Sequence, residues 1–149
     1  MTTFTLEAAS DAVAASLAEI RVEAMRPSLE AAGRFDPVRA RRRFLDTFNA
    51  TDTKIIRWEQ EIAGFVVVRK RADHFYLDHL YIAFRFQRRG IGRELIDRLK
   101  GEARAQGLPV RLTALKGSPA NGFYRSCGFQ LVSSDMLDNA YQWLPMTVR

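Results

Sequence analysis

The stretch Gln87–Ala103, QRRGIGRELIDRLKGEA, sets Gly90 and Gly92 where strand-like residues give way to an amphipathic helix. A glycine costs about 1 kcal/mol against alanine inside a helix, so the pair needs a compensating use. The first amides of a helix have no internal partners, and they carry the positive end of the helix dipole. Phosphate binds such an end when no side chain shields the backbone. Gly90 and Gly92 remove Cβ atoms at that place, and Arg88, Arg89 and Arg93 add fixed positive charge around it. The chemistry expected is recognition of a phosphorylated ligand. A P-loop would need Gly-Lys-Ser/Thr, which is absent, and the dinucleotide fingerprint would need a further glycine where Leu95 stands.

The elements that must position this loop follow from hydrophobic spacing. TFTLEAA (residues 3–9) alternates like a short strand, and Val13, Leu17, Ile20 and Ala24 then share one helical face, with Asp11 as the expected cap. Pro27 is expected to interrupt that helix. AAGRFDP makes a break, and a second short helix starts near Pro37 with the basic run RARRRF. The period becomes two from Thr53 to Phe84, which reads as three strands with turns near Gln60 and Ala72–Asp73. Ile91, Leu95, Leu99 and Ala103 mark the next helix, stopped by Gly107 and Pro109. VRLTAL is a strand. SPANGFYRSC is a short helix with Ser118 as expected cap, Pro119 in its first turn and Gly128 just past its end. FQLVSS and AYQWLPM (residues 140–146) close the chain as strands, giving the order β-α-α-β-β-β-α-β-α-β-β in a single α/β domain over residues 1–149.

LYIAFRFQRRGIG resembles the acyl-CoA-binding motif of the GNAT superfamily of N-acetyltransferases: a strand, a short loop, then Gln/Arg-x-x-Gly-x-Gly/Ala opening a helix. LKGSPANGFYRSCGF resembles the later motif of that family, in which an alanine precedes Phe-Tyr and a Gly-Phe pair follows. The element order matches as well, so the resemblance covers essentially the whole chain and is sharpest over residues 76–129. Phe84 departs from the usual proline, and Ser118 from the asparagine common beside Pro-Ala. The resemblance implies the GNAT fold: a mixed, mostly antiparallel sheet of about six or seven strands, flanked by about four helices and splayed between strands 4 and 5.

It also implies acetyl-CoA as cosubstrate. The pyrophosphate would lie on the amides of Gln87, Arg88, Arg89, Gly90, Ile91, Gly92 and Arg93, and the pantetheine arm would pair with Leu80, Tyr81 and Ile82. Ser118 and Asn121 are expected near that arm. Tyr124 matches the family tyrosine and is expected to protonate the departing thiolate, since a phenol with an ordinary pKa of about 10 stays protonated above a thiol at about 8.5. Asp78 and His79 adjoin the same strand as candidate bases. As neighbours on a strand they point to opposite faces, so at most one meets substrate, and an amine deprotonated through water needs neither. A salt bridge for Asp78 and a half-buried site for His79 are the competing readings. Arg39, Arg42 and Arg43, or Glu23 with Arg26, are candidates for recognising the acceptor.

The rest of the sequence sets bounds. The chain has 149 residues, 47% hydrophobic and 27% charged, with a net charge of +6 that favours an anionic partner. One cysteine, Cys127, rules out a disulfide framework and a Cys-based zinc site, and two histidines are too few for a convincing metal cluster; no metal is expected. No apolar stretch approaches the roughly 18 residues of a membrane span, and MTTFTLEAAS lacks a secretory pattern, so a cytoplasmic protein without membrane partner is expected. The arginines cluster at the phosphate loop and on one early helix instead of forming a basic stripe interleaved with aromatics, so no nucleic-acid partner is expected. The expected acceptor is a small-molecule amine. A protein or peptide N-terminus as acceptor, or an acyl-CoA-binding module without catalysis, are the alternatives, and a homodimer through the last strands is possible.

Overall fold

A computed structural model describes residues 4–145. The strands are β1 (Phe4–Ala8), β2 (Thr53–Trp58), β3 (Glu61–Lys70), β4 (Phe75–Ile82), β5 (Val110–Leu115), β6 (Gln130–Ser134) and β7 (Asp138–Trp143). The helices are α1 (Ala14–Ala31), α2 (Pro37–Leu45), α3 (Ile91–Gln106) and α4 (Ala120–Ser126). This is the order read from the sequence. Thr3 and Met146, at the ends of the two outermost expected strands, lie outside the described residues. The strands follow the order β1-β2-β3-β4-β5-β7-β6 in a seven-stranded sheet. β4 and β5 are its parallel pair, joined over their first two residues, Phe75 with Val110 and Tyr76 with Arg111. This is the GNAT fold, with strands 4 and 5 as its parallel pair.

The chain forms two compact units, whose boundaries fall inside β3 and β4 and at the start of α3. The first holds the chain to Val67 together with His79–Ile91. Its core is Leu17 and Ala18 of α1, Phe44 of α2, Ile55 of β2 and Phe65 and Val67 of β3. α2 starts where Asp36 accepts bonds from the amides of Val38 and Arg39, with Pro37 in the first turn. Its apolar positions Ala40 and Phe44 are buried, while Arg39, Arg42 and Arg43 face solvent.

Two expectations fail at α1. Asp11 lies in a short 3-10 turn and makes no side-chain cap. Pro27 does not interrupt the helix, which runs on to Ala31. Proline removes one helical donor, and the exposed position of Pro27 leaves the acceptor so deprived at the helix surface. The true stop is Gly33 at φ 68, where Arg34 N bonds Leu29 O and Gly33 N bonds Glu30 O.

The second unit holds Val68–Asp78 and the chain from Gly92 onward. Leu95, Leu99 and Ala103 of α3 are buried, as their spacing predicts, together with Ile96. α3 closes as expected at Gly107, φ 67, with Leu108 N bonding Ala103 O. α4 ends against Gly128 at φ 91, also as expected. Ser118 does not cap α4 through its hydroxyl; its carbonyl takes the amide of Asn121 instead. Cys127 is buried, at 4% exposure. β6 is exposed along its whole length.

Candidate active site

In the first unit, the end of β4 is set by a close approach of two backbones. A Cβ built on Gly64 of β3 would stand 2.0 Å from the carbonyl oxygen of Tyr81. Only glycine fits there, because the neighbour is main chain and has no side chain to swing away. Ala83 N then bonds Ala63 O at 2.8 Å. A register shift between Ile56 and Arg57 of β2, opposite Gly64 and Ile62, shows that β3 bulges at Ala63. These contacts fix the path of Tyr81–Ala83, which overlaps the Leu80–Ile82 segment expected to pair with the pantetheine arm.

The Tyr81 side chain is held equally firmly. Arg21 of α1 is 7% exposed, donates from Nε to the Tyr81 hydroxyl at 3.1 Å and from Nη1 to Ala40 O at 2.8 Å. The hydroxyl in turn meets His79 Nδ1 at 3.0 Å. His79 is 5% exposed and packs its ring against Phe44, edge-on at 5.5 Å, and against Phe65. His79 therefore belongs to a buried polar chain among aromatics, deeper than the half-buried site expected for it.

Beyond β4 the chain turns through Phe84–Phe86, with Gln87 Nε2 donating back to Ile82 O at 2.9 Å. Arg88 has φ 64 and Gly90 φ 80, and α3 begins at Ile91. A left-handed conformation at a non-glycine residue is costly, of order 1–3 kcal/mol, and persists where the surroundings or a function demand it. Backbone that alternates in hand turns successive N–H groups toward one point and forms an anion-binding concavity. The helix N-terminus adds its partial positive charge. Arg88, Arg89 and Gly90 are all exposed. Arg89 lies over the Trp58 ring at 4.9 Å and the Phe86 ring at 5.4 Å, and donates to Arg85 O. Its guanidinium is thus stacked and directed.

In the second unit, Gly92 makes a packing contact that the sequence did not suggest. Its Cβ would meet the Phe123 ring at 3.1 Å, so the missing side chain makes room for α4 against α3. Arg93 donates to Ser126 Oγ at 2.9 Å, tying the same two helices. Asn121, 5% exposed, uses all of its polar capacity. Nδ2 donates to Leu115 O and Ser118 O, both at 2.9 Å, while Oδ1 accepts from Tyr141 at 2.8 Å and Asn139 at 2.9 Å. It orders the turn from β5 into α4. Tyr124 is 8% exposed and stands edge-on to Phe123 and Phe129. Asp78 receives Arg69, Nε at 3.2 Å and Nη2 at 3.1 Å, so this carboxylate sits in an ion pair. Asp78 and His79 thus engage different partners, as strand alternation requires.

Several of these parts escape sequence reading. Gly64, Arg21, Trp58 and Tyr141 carry no motif. Among the acceptor candidates, Arg26 pairs with Glu30 and lies over Phe35, so its charge is committed elsewhere. Nearby, Arg41 bonds Glu19 and holds that carboxyl below its ordinary range, chiefly through the hydrogen bond. Among the described residues no group of histidine, cysteine, aspartate and glutamate is arranged to hold a metal.

Known proteins agree with this fold. The family model for the acetyltransferase (GNAT) domain matches residues 23–149. No curated protein matches the sequence significantly. Among solved structures, the PaiA N-acetyltransferase from Thermoplasma acidophilum in complex with coenzyme A superposes with a TM-score of 0.77 at 16% identity, covering 96% of this chain and 99% of that one. An acetyltransferase from Thermus thermophilus gives 0.74 at 18% identity, covering 95% and 97%. A ribosomal-protein alanine N-acetyltransferase from Escherichia coli gives 0.68 at 16% identity, covering 98% and 97%. At such identities the structural likeness establishes the fold alone, and the match over residues 23–149 establishes the family. The chain belongs to the GNAT acetyltransferase family.

Proposed function

We propose that this protein transfers the acetyl group of acetyl-CoA to the primary amine of a small molecule, in a ternary complex and by direct attack. The observation that carries the reading is the loop before α3, where Arg88 at φ 64 and Gly90 at φ 80 precede a helix N-terminus that begins at Ile91. That backbone fits a pyrophosphate, with the charge of Arg88 and Arg93 beside it. Stacked on Trp58 and Phe86, Arg89 loses little further side-chain freedom on meeting a phosphate. The pantetheine arm would run along Leu80–Ile82 as an added strand, the mode by which an extended ligand takes up open main-chain groups.

Acetyl-CoA supplies an activated acyl carbon and a good leaving group. A main-chain N–H at the end of β4 is the natural donor to the acyl oxygen as negative charge develops there, and the rigid Gly64–Tyr81 contact keeps such a donor preorganised. The acceptor amine, having given one proton to water, attacks the acyl carbon, and its nitrogen gives a second proton to solvent as the amide forms. As the carbon–sulfur bond breaks, the electron pair leaves on sulfur and Tyr124 gives it the phenolic proton, regained afterwards from solvent. Asp78 and His79 have no role in this scheme, since one is paired with Arg69 and the other sits in an aromatic core. Gly92, Ser118 and Asn121 act through architecture, holding α3, α4 and the β5–α4 turn.

The test is release of CoA thiol from acetyl-CoA across a library of primary amines, with wild type and Tyr124→Phe. The account expects kcat to fall about a hundredfold in the variant with acetyl-CoA affinity unchanged. Equal kcat values would remove Tyr124 from the chemistry.

A further inference from the structure

One face of α1 remains unaccounted for. Ile20, Glu23 and Ala24 line a hollow together with Ile82, Ala83 and Phe84, the residues that end β4 and begin the turn after it. Pro27 continues the same face, since positions 20, 23, 24 and 27 follow the i, i+3, i+4, i+7 spacing of a helix. Glu23 is the single charged residue of the lining. Among the described residues its carboxylate has neither an ion pair nor a hydrogen bond, whereas Glu19 and Glu30 on the same helix both hold an arginine. Pro27 bears no N–H, so the main-chain oxygen of Glu23 lacks its usual helical donor four residues on. Residue 23 therefore offers two kinds of acceptor, a carboxylate and a carbonyl without its helical donor. No arginine or lysine is among the six lining residues. Phe84, 59% exposed, offers an uncommitted ring at the rim, and Ile20 and Ile82 supply apolar walls.

We infer that this hollow selects the acceptor. It takes an amine whose cationic nitrogen adjoins an apolar or aromatic body and has no carboxylate beside it. Glu23 and the carbonyl left open by Pro27 receive the N–H groups of the ammonium, and Ile20, Ile82 and Phe84 face the apolar part. An acceptor with a carboxylate next to its amine meets the Glu23 charge at short range with no cation in the lining to offset it. The exposed arginines of α2, Arg39, Arg42 and Arg43, are not part of this lining, so the hollow favours cationic over acidic acceptors.

The inference rests on the acetyltransferase reading above, so its test separates the two. Thiol release from acetyl-CoA is measured with 2-phenylethylamine and with phenylalanine, which differ by one carboxylate, using wild type, Glu23→Gln and Pro27→Ala. Acetyl-CoA binding to each protein is titrated in parallel. The expected result is a kcat/KM at least tenfold higher for 2-phenylethylamine. Glu23→Gln raises its KM about tenfold, the worth of one charge-assisted hydrogen bond, and leaves kcat within about twofold. Pro27→Ala restores the helical donor and raises KM severalfold while thermal stability holds or improves, a combination that a purely structural proline would not produce. Acetyl-CoA binding with neither amine accepted, with both accepted equally, or with a ratio untouched by Glu23→Gln overturns the assignment and leaves the transferase reading standing. Absence of acetyl-CoA binding overturns both.

Discussion

Gly64 and Tyr81 approach so closely that a methyl group on the first would lie 2.0 Å from the carbonyl oxygen of the second. No rotamer relieves such a contact; one strand has to move. Gly64→Ala is therefore expected to destabilise the protein by about 3 kcal/mol, the upper end for overpacking. It should also lower acetyl transfer in the molecules that still fold, because the end of β4 is displaced. Thermal melting and thiol release on the same sample check this. An alanine variant with wild-type melting temperature would contradict the close approach.

Asn121 joins the end of β5, the start of α4 and β7 through one amide group. Asn121→Ala leaves the buried Tyr141 hydroxyl and the Leu115 carbonyl without this partner, and about 2–3 kcal/mol of stability should be lost. Urea denaturation measures it as a lower midpoint with unchanged slope. Asn121→Asp keeps the acceptor but not the donor, so it should fall between wild type and alanine.

Asp135 closes the turn between β6 and β7 by accepting the amides of Leu137 at 2.8 Å and Asp138 at 2.7 Å. Those backbone bonds, that to Asp138 foremost, hold its carboxyl below the ordinary 3.8. A carboxyl depressed on folding contributes stability that is present above its unfolded pKa and lost as pH falls through the folded one. The melting temperature of Asp135→Ala should accordingly lie below wild type at pH 7, and the gap should close below about pH 3.8. A gap that persists to pH 2 would mean that the turn does not depend on the charge.

The order of elements was legible because each relied on local signals. Leu95, Leu99 and Ala103 mark a buried helical face, and Gly107 and Gly128 stop helices through positive φ, as their neighbours in sequence suggest. Pro27 misled because a helix at the surface tolerates one missing donor. Ser118 misled because Asn121 competes for the same turn. Gly90 marks the proposed phosphate loop by a local signal, whereas the packing of Gly92 against Phe123 depends on a contact 31 residues away. Gly64, Arg21 and Trp58 were invisible for the same reason. Their partners Tyr81, Ala40 and Arg89 are distant in sequence, and no local pattern encodes such meetings.

The central claim is that the loop from Gln87 into α3 binds the pyrophosphate of acetyl-CoA. Isothermal titration of wild type and Gly90→Asp with acetyl-CoA, with CoA and ATP as comparison ligands, tests it most directly. Aspartate at that position adds a negative charge where phosphate would lie, on a backbone at φ 80. The account predicts micromolar binding of acetyl-CoA and CoA to wild type, weaker binding of ATP, and a loss of about a hundredfold or more in the variant. Wild type that ignores acetyl-CoA, or a Gly90→Asp protein that binds it equally well, would contradict the account.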